Sequence, residues 1–410
     1  MTPDSRRKAW AVTLAVFLAS VAVAASRFKV PPLMPALMSD LGVSMVTGGW
    51  LMSIFSVAII LLAIPTALLL VHLGPRVMGL GALGCSLAGS IGGALAPDVR
   101  ALLAARTVEG IGLAVMAVVA PSVISLWFEP QDRGLPMGIW VTWVPFGSLI
   151  MFNVAKPLEA AFGWRSIWWF GALLTLVAAA IYALVVTLPP RTGPEALSPS
   201  RGAASAVRDL LNPSLGLLAL AFALFAFVIL GYNTWAPSYL SAALGMDPVA
   251  ANLNASLMFL AGIPANILAG WLLDRLRKRT FLLGTAFFFT TVLLFWSFGL
   301  GSVRAVAPYM IAIGFISNLL PPGYFTLAPE SMDGPNLGAS QAGLALAAIL
   351  AGSNVGALAG PPVLGALLSA GPWTWGSACL VIVAILGTIA TFIAGKTMSL
   401  RDRDGIVHRF

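Results

Sequence analysis

The sequence predicts an all-α integral membrane protein with twelve transmembrane helices, arranged as two pseudo-symmetric bundles of six. Three observations predict this fold class. Of the 410 residues, 59% are hydrophobic and only 9% are charged, which is far outside the composition of a soluble domain. Apolar stretches of roughly 20 or more residues, enough to cross about 30 Å of hydrocarbon, recur along the whole chain. A polar stretch near the middle of the chain separates the first six of them from the last six.

The first six apolar stretches form the predicted N-terminal bundle, residues 1–187. They lie at residues 9–37, 46–72, 77–96, 101–127, 135–157 and 165–187. Residues 188–213 are rich in proline, serine and glycine, so we expect a cytoplasmic linker there. The predicted C-terminal bundle is residues 214–410. Its apolar stretches lie at residues 214–241, 250–273, 280–300, 304–327, 339–369 and 374–395.

Lysine and arginine are distributed unevenly between the predicted loops. With the N-terminus inside, sixteen of them lie in cytoplasmic segments, against three outside, Arg100, Arg165 and Arg304. Because cytoplasmic loops carry the excess of positive residues, we expect a multi-pass protein of the inner (plasma) membrane with both termini in the cytoplasm. Cations confined to short loops do not form a phosphate-binding face. The net charge of +8 therefore does not indicate a nucleic-acid partner.

Several chemical classes of protein find no support in the sequence. Both cysteines lie in apolar stretches and there are only two histidines, so neither a disulfide framework nor a metal site is predicted. No nucleophile and base pair, histidine and carboxylate cluster or phosphate-binding loop is evident. We therefore expect no catalytic residues, no cofactor and no enzymatic activity.

The two halves of the chain resemble each other around one loop. A shift of 203 residues superposes Gly74 on Arg277 and Arg76 on Arg279, which are in the loops after the second and eighth apolar stretches. Such an offset, close to half the chain, indicates an internal repeat. Parallel six-helix repeats place a binding site near the bilayer midplane between the halves.

Several short motifs occur in an order that is similar to that of the major facilitator superfamily. The loop after the eighth stretch has the glycine, aspartate and basic residues of that family's loop motif: Gly270, Asp274, Arg275, Lys278 and Arg279. In the first half only Gly74 and Arg76 of this motif remain. The segments "RTVEGIGLA", "FGWRSIWWF" and "WAPSYL" resemble the family's fourth helix, fifth-to-sixth helix junction and seventh helix. The resemblance covers essentially the whole chain and is nearest to bacterial organic-anion transporter branches.

This resemblance implies a secondary transporter that works by alternating access. It implies a central cavity lined by the first, fourth, seventh and tenth helices, and we expect a monomer in the lipid bilayer. Conformational change is expected to involve the loop-motif residues Gly74, Arg76, Gly270, Asp274, Arg275, Lys278 and Arg279.

Four cations lie in no predicted loop: Arg27, Lys29, Arg106 and Lys156. Each such charge costs about 2.5 to 3.5 kcal/mol in a membrane helix and marks a candidate functional site. Arg27 and Lys29 are on the first helix and Arg106 is on the fourth, so all three are predicted to bind an anionic substrate. Lys156, close to Glu159, is interpreted as an interface anchor.

Alternatives remain open for these cations. Residues two apart on a helix point roughly 200° apart, so Arg27 and Lys29 meet only if the helix unwinds at Pro31 and Pro32; otherwise one of them serves elsewhere. Lys29 could instead extend to the outer interface. Arg106 could be structural, paired with Glu109 at i+3 or with backbone carbonyls.

Glu109 is the one acidic residue that lies well within a predicted span. A protonated Glu109 would release Arg106 to bind an anion, giving proton symport. A permanently ionised pair would instead give anion exchange or uniport, and the sequence does not decide between them. The scarcity of buried acids disfavours cationic substrates and favours a small organic anion, either a mono- or a dicarboxylate. The alternative is a proton-coupled exporter of a hydrophobic drug or metabolite.

Neutral side chains on other helices are predicted to complete the binding site. Tyr232 and Asn233 of the seventh span correspond to the cationic region of the first under the 203-residue offset. In the tenth span a proline pair is expected to expose backbone carbonyls toward a cavity. The remaining candidates are Asn318 and Tyr324 around that pair, Asn354 of the eleventh span, and Trp143, for which packing is the alternative.

Overall fold

The computed structural model describes residues 3–129, 132, 134–187, 212–276, 279–332 and 339–407. Within these residues every regular element is a helix, which confirms the all-α fold class. Eleven helical segments are long and apolar enough to cross a membrane, and a shorter apolar helix lies where the ninth span is predicted. The predicted linker falls almost entirely on residues 188–211, outside the described part of the chain.

Seven α-helices lie among the described residues of the first half. They are α1 (Pro3–Arg27), α2 (Met34–Leu41), α3 (Met45–Ala94), α4 (Val99–Trp127), α5 (Gly134–Val141), α6 (Trp143–Phe162) and α7 (Arg165–Val185). Local capping fixes two of these starts: Ser44 accepts a hydrogen bond from the Thr47 backbone N–H at 3.2 Å, and Asp98 accepts one from that of Ala101 at 2.8 Å. A side-chain oxygen at this position accepts a hydrogen bond from a backbone N–H that has no acceptor within the helix.

The part of the second half that the structure describes also has seven α-helices. They are α8 (Pro213–Ala242), α9 (Pro248–Arg275), α10 (Arg279–Leu294), α11 (Val306–Ser317), α12 (Leu320–Glu330), α13 (Ala339–Ala370) and α14 (Trp373–Val407). Asn318 and Leu319 separate α11 from α12 just before the proline pair Pro321 and Pro322. The predicted tenth span is therefore built from two helices.

The helical path of the first half is broken at two places that the sequence marks. Helix α3 contains both the second and the third predicted span, and Gly74 between them has φ +74° and ψ 160°, which breaks the helical path. Glycine adopts positive φ without the steric cost of a side chain. The first span stops at Arg27, and after a short 3₁₀ turn at Pro31–Leu33 it resumes as α2.

The chain divides into two compact units. The first comprises Met1–Pro199 and Asp247–Phe259, and the second comprises Ser200–Met246 and Leu260–Phe410. The core of the first unit is formed largely by apolar side chains of α1 and α4, among them Val16, Val23 and Met116, with Tyr182 of α7. The first part of α9 also belongs to this unit, because Phe259 packs edge-on against Phe28 and Phe152.

Candidate functional site

The break in the first span leaves backbone carbonyls without helical partners. In a continuous α-helix the N–H of residue 31 would donate to the carbonyl of Arg27, but Pro31 has no N–H. Helix α1 ends at Arg27, and the next backbone bond runs from Phe28 N–H to the Ala25 carbonyl at 3.1 Å. The carbonyls of Ser26 and Arg27 therefore need donors from elsewhere.

Arg106 of α4 supplies those donors. Its Nη1 donates to the Ser26 carbonyl at 2.5 Å, and its Nη2 donates to that of Arg27 at 2.8 Å. Its Nε donates to the carbonyl of Leu51 on α3 at 3.1 Å. The side chain is fully buried, and its guanidinium lies over the ring of Phe55 at 4.3 Å. One arginine thus joins α1, α3 and α4.

Glu109, one turn further along α4, neutralises part of this charge. Its Oε2 accepts a hydrogen bond from Arg106 Nη1 at 2.8 Å. Its Oε1 accepts two more, from Lys29 Nζ at 2.5 Å and from the Ser90 hydroxyl of α3 at 2.8 Å. Both carboxylate oxygens are occupied, and the side chain is fully buried. We name Lys29, Ser90, Arg106 and Glu109 the buried charge cluster.

Lys29 reaches this cluster from the turn that follows α1. Its Nζ also donates to Ser90 Oγ at 2.8 Å and lies 5.7 Å from the Trp168 ring centroid. The side chain has no exposed surface, so the alternative in which Lys29 extends to the outer interface is wrong. For Arg106, the structural alternative describes the observed contacts, because it binds both Glu109 and backbone carbonyls.

Glycines make the space that the cluster occupies. A Cβ on Gly171 of α7 would lie 2.5 Å from Lys29 Nζ, and a Cβ on Gly89 of α3 would lie 2.6 Å from Glu109 Cγ. Real side chains do not pack this closely. Helices α3, α4 and α7 therefore approach each other closely around these charges because small residues line the contact.

Arg27 differs from the other two cations of the site. It lies in the last turn of α1 and is partly exposed. Its Nη2 donates to Ser56 Oγ at 3.5 Å, a long and weak bond. Its Nε is buried and has no hydrogen-bond partner. The predicted unwinding at Pro31 is present, but Arg27 and Lys29 hydrogen-bond to different side chains, Arg27 to Ser56 and Lys29 to Ser90 and Glu109.

Lys156, the fourth cation outside the predicted loops, makes a local ion pair. Its Nζ lies 2.8 Å from Glu159 Oε2, and both side chains are partly exposed. This pair lies on α6, three residues apart, as expected for a helix surface.

Two predicted site residues of the second unit are fully buried tyrosines. The hydroxyl of Tyr232 lies 3.6 Å from Met310 Sδ, and its ring packs against Phe298. The hydroxyl of Tyr324 lies 2.9 Å from Thr391 Oγ1, in hydrogen-bond contact. These contacts hold both tyrosines within the unit, and their predicted substrate role stays a prediction.

The predicted asparagines of the second unit make short-range hydrogen bonds. Asn318 donates to the Gly314 carbonyl at 2.8 Å, and Asn354 donates to that of Leu350 at 2.9 Å. Asn318 also accepts from Asn266 Nδ2 at 3.3 Å. Asn233 is buried on α8. The substrate role of these asparagines also stays a prediction.

Trp143 packs within the first unit. It stacks on Trp140 with a centroid distance of 5.8 Å, and Trp140 Nε1 donates to Ser20 Oγ at 3.0 Å. Both indoles pack against the core of that unit. Packing, the stated alternative, accounts for these contacts.

The loop-motif residues of the first half connect α3 to α7. Arg76 Nη2 donates to the carbonyl of Ala183 at 2.7 Å, and the Tyr182 hydroxyl donates to that of Pro75 at 2.9 Å. The break at Gly74 turns the chain just before both contacts. The structure thus gives this loop two hydrogen bonds to the end of α7.

The corresponding residues of the second half are described in part. Arg279 donates from Nε to the Leu273 carbonyl at 2.8 Å and forms an ion pair with Glu330. Arg275 lies over the Trp271 ring at 4.1 Å, and Gly270 lies in α9. Lys278 and the side chain of Asp274 lie outside the described residues. The conformational role of the motif stays a prediction.

Sequence reasoning missed the small residues that contact Arg27 and the buried charge cluster. Ser90, Ser56, Gly89 and Gly171 all lie in apolar stretches, where serine and glycine are common at helix contacts. Asn266, which pairs with Asn318, could have been found as an amide within the eighth span. For the serines and glycines the only available signal was their position in a charge-poor helix, which is too common to be selective.

The fold and the loop motif can now be compared with known proteins. The sequence profile described as Major Facilitator Superfamily matches residues 16–342 and 244–404. The chain belongs to the Major Facilitator Superfamily. As a member of this family with eleven long apolar helices among its described residues, it is a multi-pass membrane protein. The family is one of transporters, not of enzymes.

Two curated proteins of the superfamily are similar to this chain in sequence. A probable L-galactonate transporter of Escherichia coli (strain K12) is 28% identical over 253 residues, which cover 58% of this chain and 56% of that protein. A glycerol-3-phosphate transporter of Bacillus subtilis (strain 168) is 29% identical over 213 residues, which cover 46% of this chain and 48% of that protein. The chain therefore spans about half the length of these curated relatives.

Among solved structures, the superfamily fold is matched over the whole chain. The crystal structure of a bacterial homologue of the human lysosomal transporter Spinster, in an inward-facing and unoccupied conformation, has a TM-score of 0.79. It covers 98% of this chain and 99% of that chain at 18% sequence identity. At this identity the likeness shows the fold alone.

Proposed function

We propose that this superfamily member transports a small organic anion, a mono- or dicarboxylate, and that Arg27 binds the carboxylate. One observation carries the proposal: Arg27 is a partly exposed cation whose buried Nε has no partner. A guanidinium with free N–H donors binds a carboxylate through two parallel hydrogen bonds. The other two cations of the site have most of their donors occupied within the protein.

The charges around Arg27 favour an anion as its partner. Three cations, Arg27, Lys29 and Arg106, lie on α1, α4 and the turn after α1, and Glu109 is the carboxylate that the structure places among them. The sum of these four side-chain charges is positive. A positive potential inside low-dielectric walls attracts and concentrates anions. Lys29 and Arg106 thus contribute to the positive electrostatic potential, while Arg27 makes the direct contact with the substrate anion.

The relatives support the same substrate class. One is named for L-galactonate, a carboxylate, and the other for glycerol 3-phosphate, a phosphate ester. Both substrates are small, hydroxylated anions. Because the chain spans only about half of each relative, their substrates support a class and not an identity.

Alternating access is the transport cycle that we propose for this anion. In it, the halves 1–187 and 214–410 expose the site in turn to each side of the plasma membrane, with both termini in the cytoplasm. The excess of basic residues in the predicted cytoplasmic segments supports that orientation.

Uptake into proteoliposomes tests the role of Arg27. The probes are radiolabelled gluconate, lactate, succinate and glycerol 3-phosphate. Loss of a buried charged contact costs about 2 to 5 kcal/mol. We therefore expect Arg27→Ala to raise the half-saturation concentration of the transported anion by at least about 30-fold. Arg27→Lys should retain part of the uptake, because it keeps the charge but not the planar donor pair.

Lys156→Gln is the matched control, since it removes a cation of the same unit that is paired on a helix surface. It should leave uptake unchanged, and size-exclusion chromatography should show all variants folded. Unaltered uptake in Arg27→Ala would contradict the proposal. So would efflux of a hydrophobic drug by a protein that moves none of the four anions.

A further inference from the structure

We infer that Ser56 is a second residue of the anion site, and that its hydroxyl group donates a hydrogen bond to the carboxylate bound by Arg27. The inference rests on the proposed function and deepens it by naming a further binding residue. Ser56 lies on α3, and its side chain is fully buried. Its Oγ accepts a hydrogen bond from Arg27 Nη2 at 3.5 Å, so the two side chains are neighbours.

The hydroxyl proton of Ser56 has no acceptor among the described residues. A serine hydroxyl can donate one hydrogen bond and accept two, and the contact with Arg27 uses only an acceptor position. In the interior of a helix, serine can satisfy its donor with the carbonyl four residues earlier. Serines on three other helices do so at 2.8 Å, namely Ser20, Ser122 and Ser148. Ser56 does not form this bond, so its donor remains available.

A second donor without a partner belongs to the guanidinium group beside Ser56. Arg27 Nε is buried and has no hydrogen-bond partner. Buried polar groups are nearly always paired, and an unpaired one calls for an explanation such as a ligand or an ordered water. An N–H and an O–H that both lack an acceptor match the oxygens of an anion. They would repel a cationic group, which has only donors of its own.

Arg106 fixes the backbone segments that carry these two donors. It donates to the carbonyls of Ser26 and Arg27 on α1 and to that of Leu51 on α3. Ser56 follows Leu51 by roughly one and a half turns of the helix. The buried arginine therefore holds α1 and α3 at the separation where the Arg27 guanidinium reaches the Ser56 hydroxyl. Donors that are held in place before binding give affinity at a smaller entropic cost.

Uptake into proteoliposomes containing the full chain tests the role of Ser56. The probe is radiolabelled gluconate, with succinate in a parallel series. We expect Ser56→Ala to raise the half-saturation concentration of the transported anion by at least about tenfold, because a hydrogen bond to a charged group is lost. The maximal rate should change by less than about twofold, as for a contact that only binds the substrate.

Ser148→Ala is the matched control, because Ser148 is a buried serine of the same unit that donates within its own helix. It should leave both the half-saturation concentration and the maximal rate unchanged. An unchanged half-saturation concentration in Ser56→Ala would overturn the inference, and an ordered water would then be the partner of the hydroxyl group. A fall in maximal rate alone would also overturn it.

A double variant separates direct binding from positioning of the guanidinium group. Arg27→Lys keeps a cation but has no guanidinium group for Ser56 to orient. If Ser56 contacts the anion itself, adding Ser56→Ala to Arg27→Lys should raise the half-saturation concentration by at least about threefold more. No further rise would mean that Ser56 acts only through Arg27, which overturns the inference.

Ser56→Cys provides a variant of nearly the same shape. Its thiol is a weak donor, so the half-saturation concentration should again rise, by at least about threefold. This variant decides the question by the same criterion if Ser56→Ala does not fold. If the unaltered protein moves no anion at all, the proposed function fails and the inference fails with it. Anion uptake that the Ser56 variants leave unchanged overturns the inference alone.

Discussion

Arg106→Met tests whether the buried charge cluster stabilises the first unit. Methionine is apolar and unbranched, so the substitution removes the guanidinium with little change in packing. Four hydrogen bonds are lost, to Glu109 and to the carbonyls of Ser26, Arg27 and Leu51. Breaking a buried pair by removing one partner costs about 3 to 5 kcal/mol. Each carbonyl left without a donor adds to this cost, although such contributions are not additive.

Thermal unfolding in detergent measures this loss. For a folding unit of 150 to 250 residues, 1 kcal/mol corresponds to roughly 2 to 4 °C in Tm. The first unit falls in this size range. We therefore expect Tm to fall by about 6 to 20 °C. The Tm of Arg106→Lys should lie between those of the unaltered protein and Arg106→Met. Lysine keeps a charge beside Glu109 but cannot donate to three carbonyls at once.

Arg27→Met is the matched control for this measurement. It removes an arginine from the same unit, but its one hydrogen bond, to Ser56, is 3.5 Å long. The expected loss in the free energy of unfolding is about 1 kcal/mol or less. This corresponds to a fall in Tm of about 4 °C or less. If Arg106→Met changes Tm by less than about 2 °C, or if both variants fall equally, the assignment of Arg106 to the scaffold is refuted.

Three further substitutions have expected effects on stability that thermal unfolding can measure. Gly74→Ala should lower the free energy of unfolding by about 1 to 2 kcal/mol, because φ is +74° there; an unchanged Tm would contradict the observed break. Tyr324→Phe leaves Thr391 without its hydroxyl partner and should cost about 1 kcal/mol, with far-UV circular dichroism showing an intact fold. Arg279→Gln breaks a partly exposed ion pair with Glu330 and a hydrogen bond to the Leu273 carbonyl, so its effect should be about 1 kcal/mol at moderate salt.

The arrangement of spans could be predicted because hydropathy records it directly. Membrane helices must satisfy every backbone group internally, so each shows as an apolar stretch of fixed minimum length. The break at Pro31 and Pro32 was also predictable from the missing N–H groups. The break at Gly74, with φ +74° and ψ 160°, also falls where the short polar interval between the second and third apolar stretches predicts a loop.

The candidate site was predictable only where spacing within one helix determined it. Arg106 and Glu109, three residues apart, were recognised as a possible pair, and the structure contains it. Lys29 and Ser90 join the same carboxylate from elements 80 and 19 residues away. Which helices meet, and where a glycine leaves space for a side chain, depends on packing between distant segments. A single sequence carries no direct record of that packing.

The proline break links the stability of the first unit to the availability of Arg27. By removing an N–H, Pro31 frees the carbonyl of Arg27, and Arg106 is held in place by that carbonyl and its neighbour. The same break makes Arg27 the last residue of α1, where the negative end of the helix dipole favours a cation. The dipole stabilises the charge without using the N–H donors of the guanidinium. The proposed substrate role of Arg27 depends on these remaining donors, and its buried Nε has no hydrogen-bond partner in the structure.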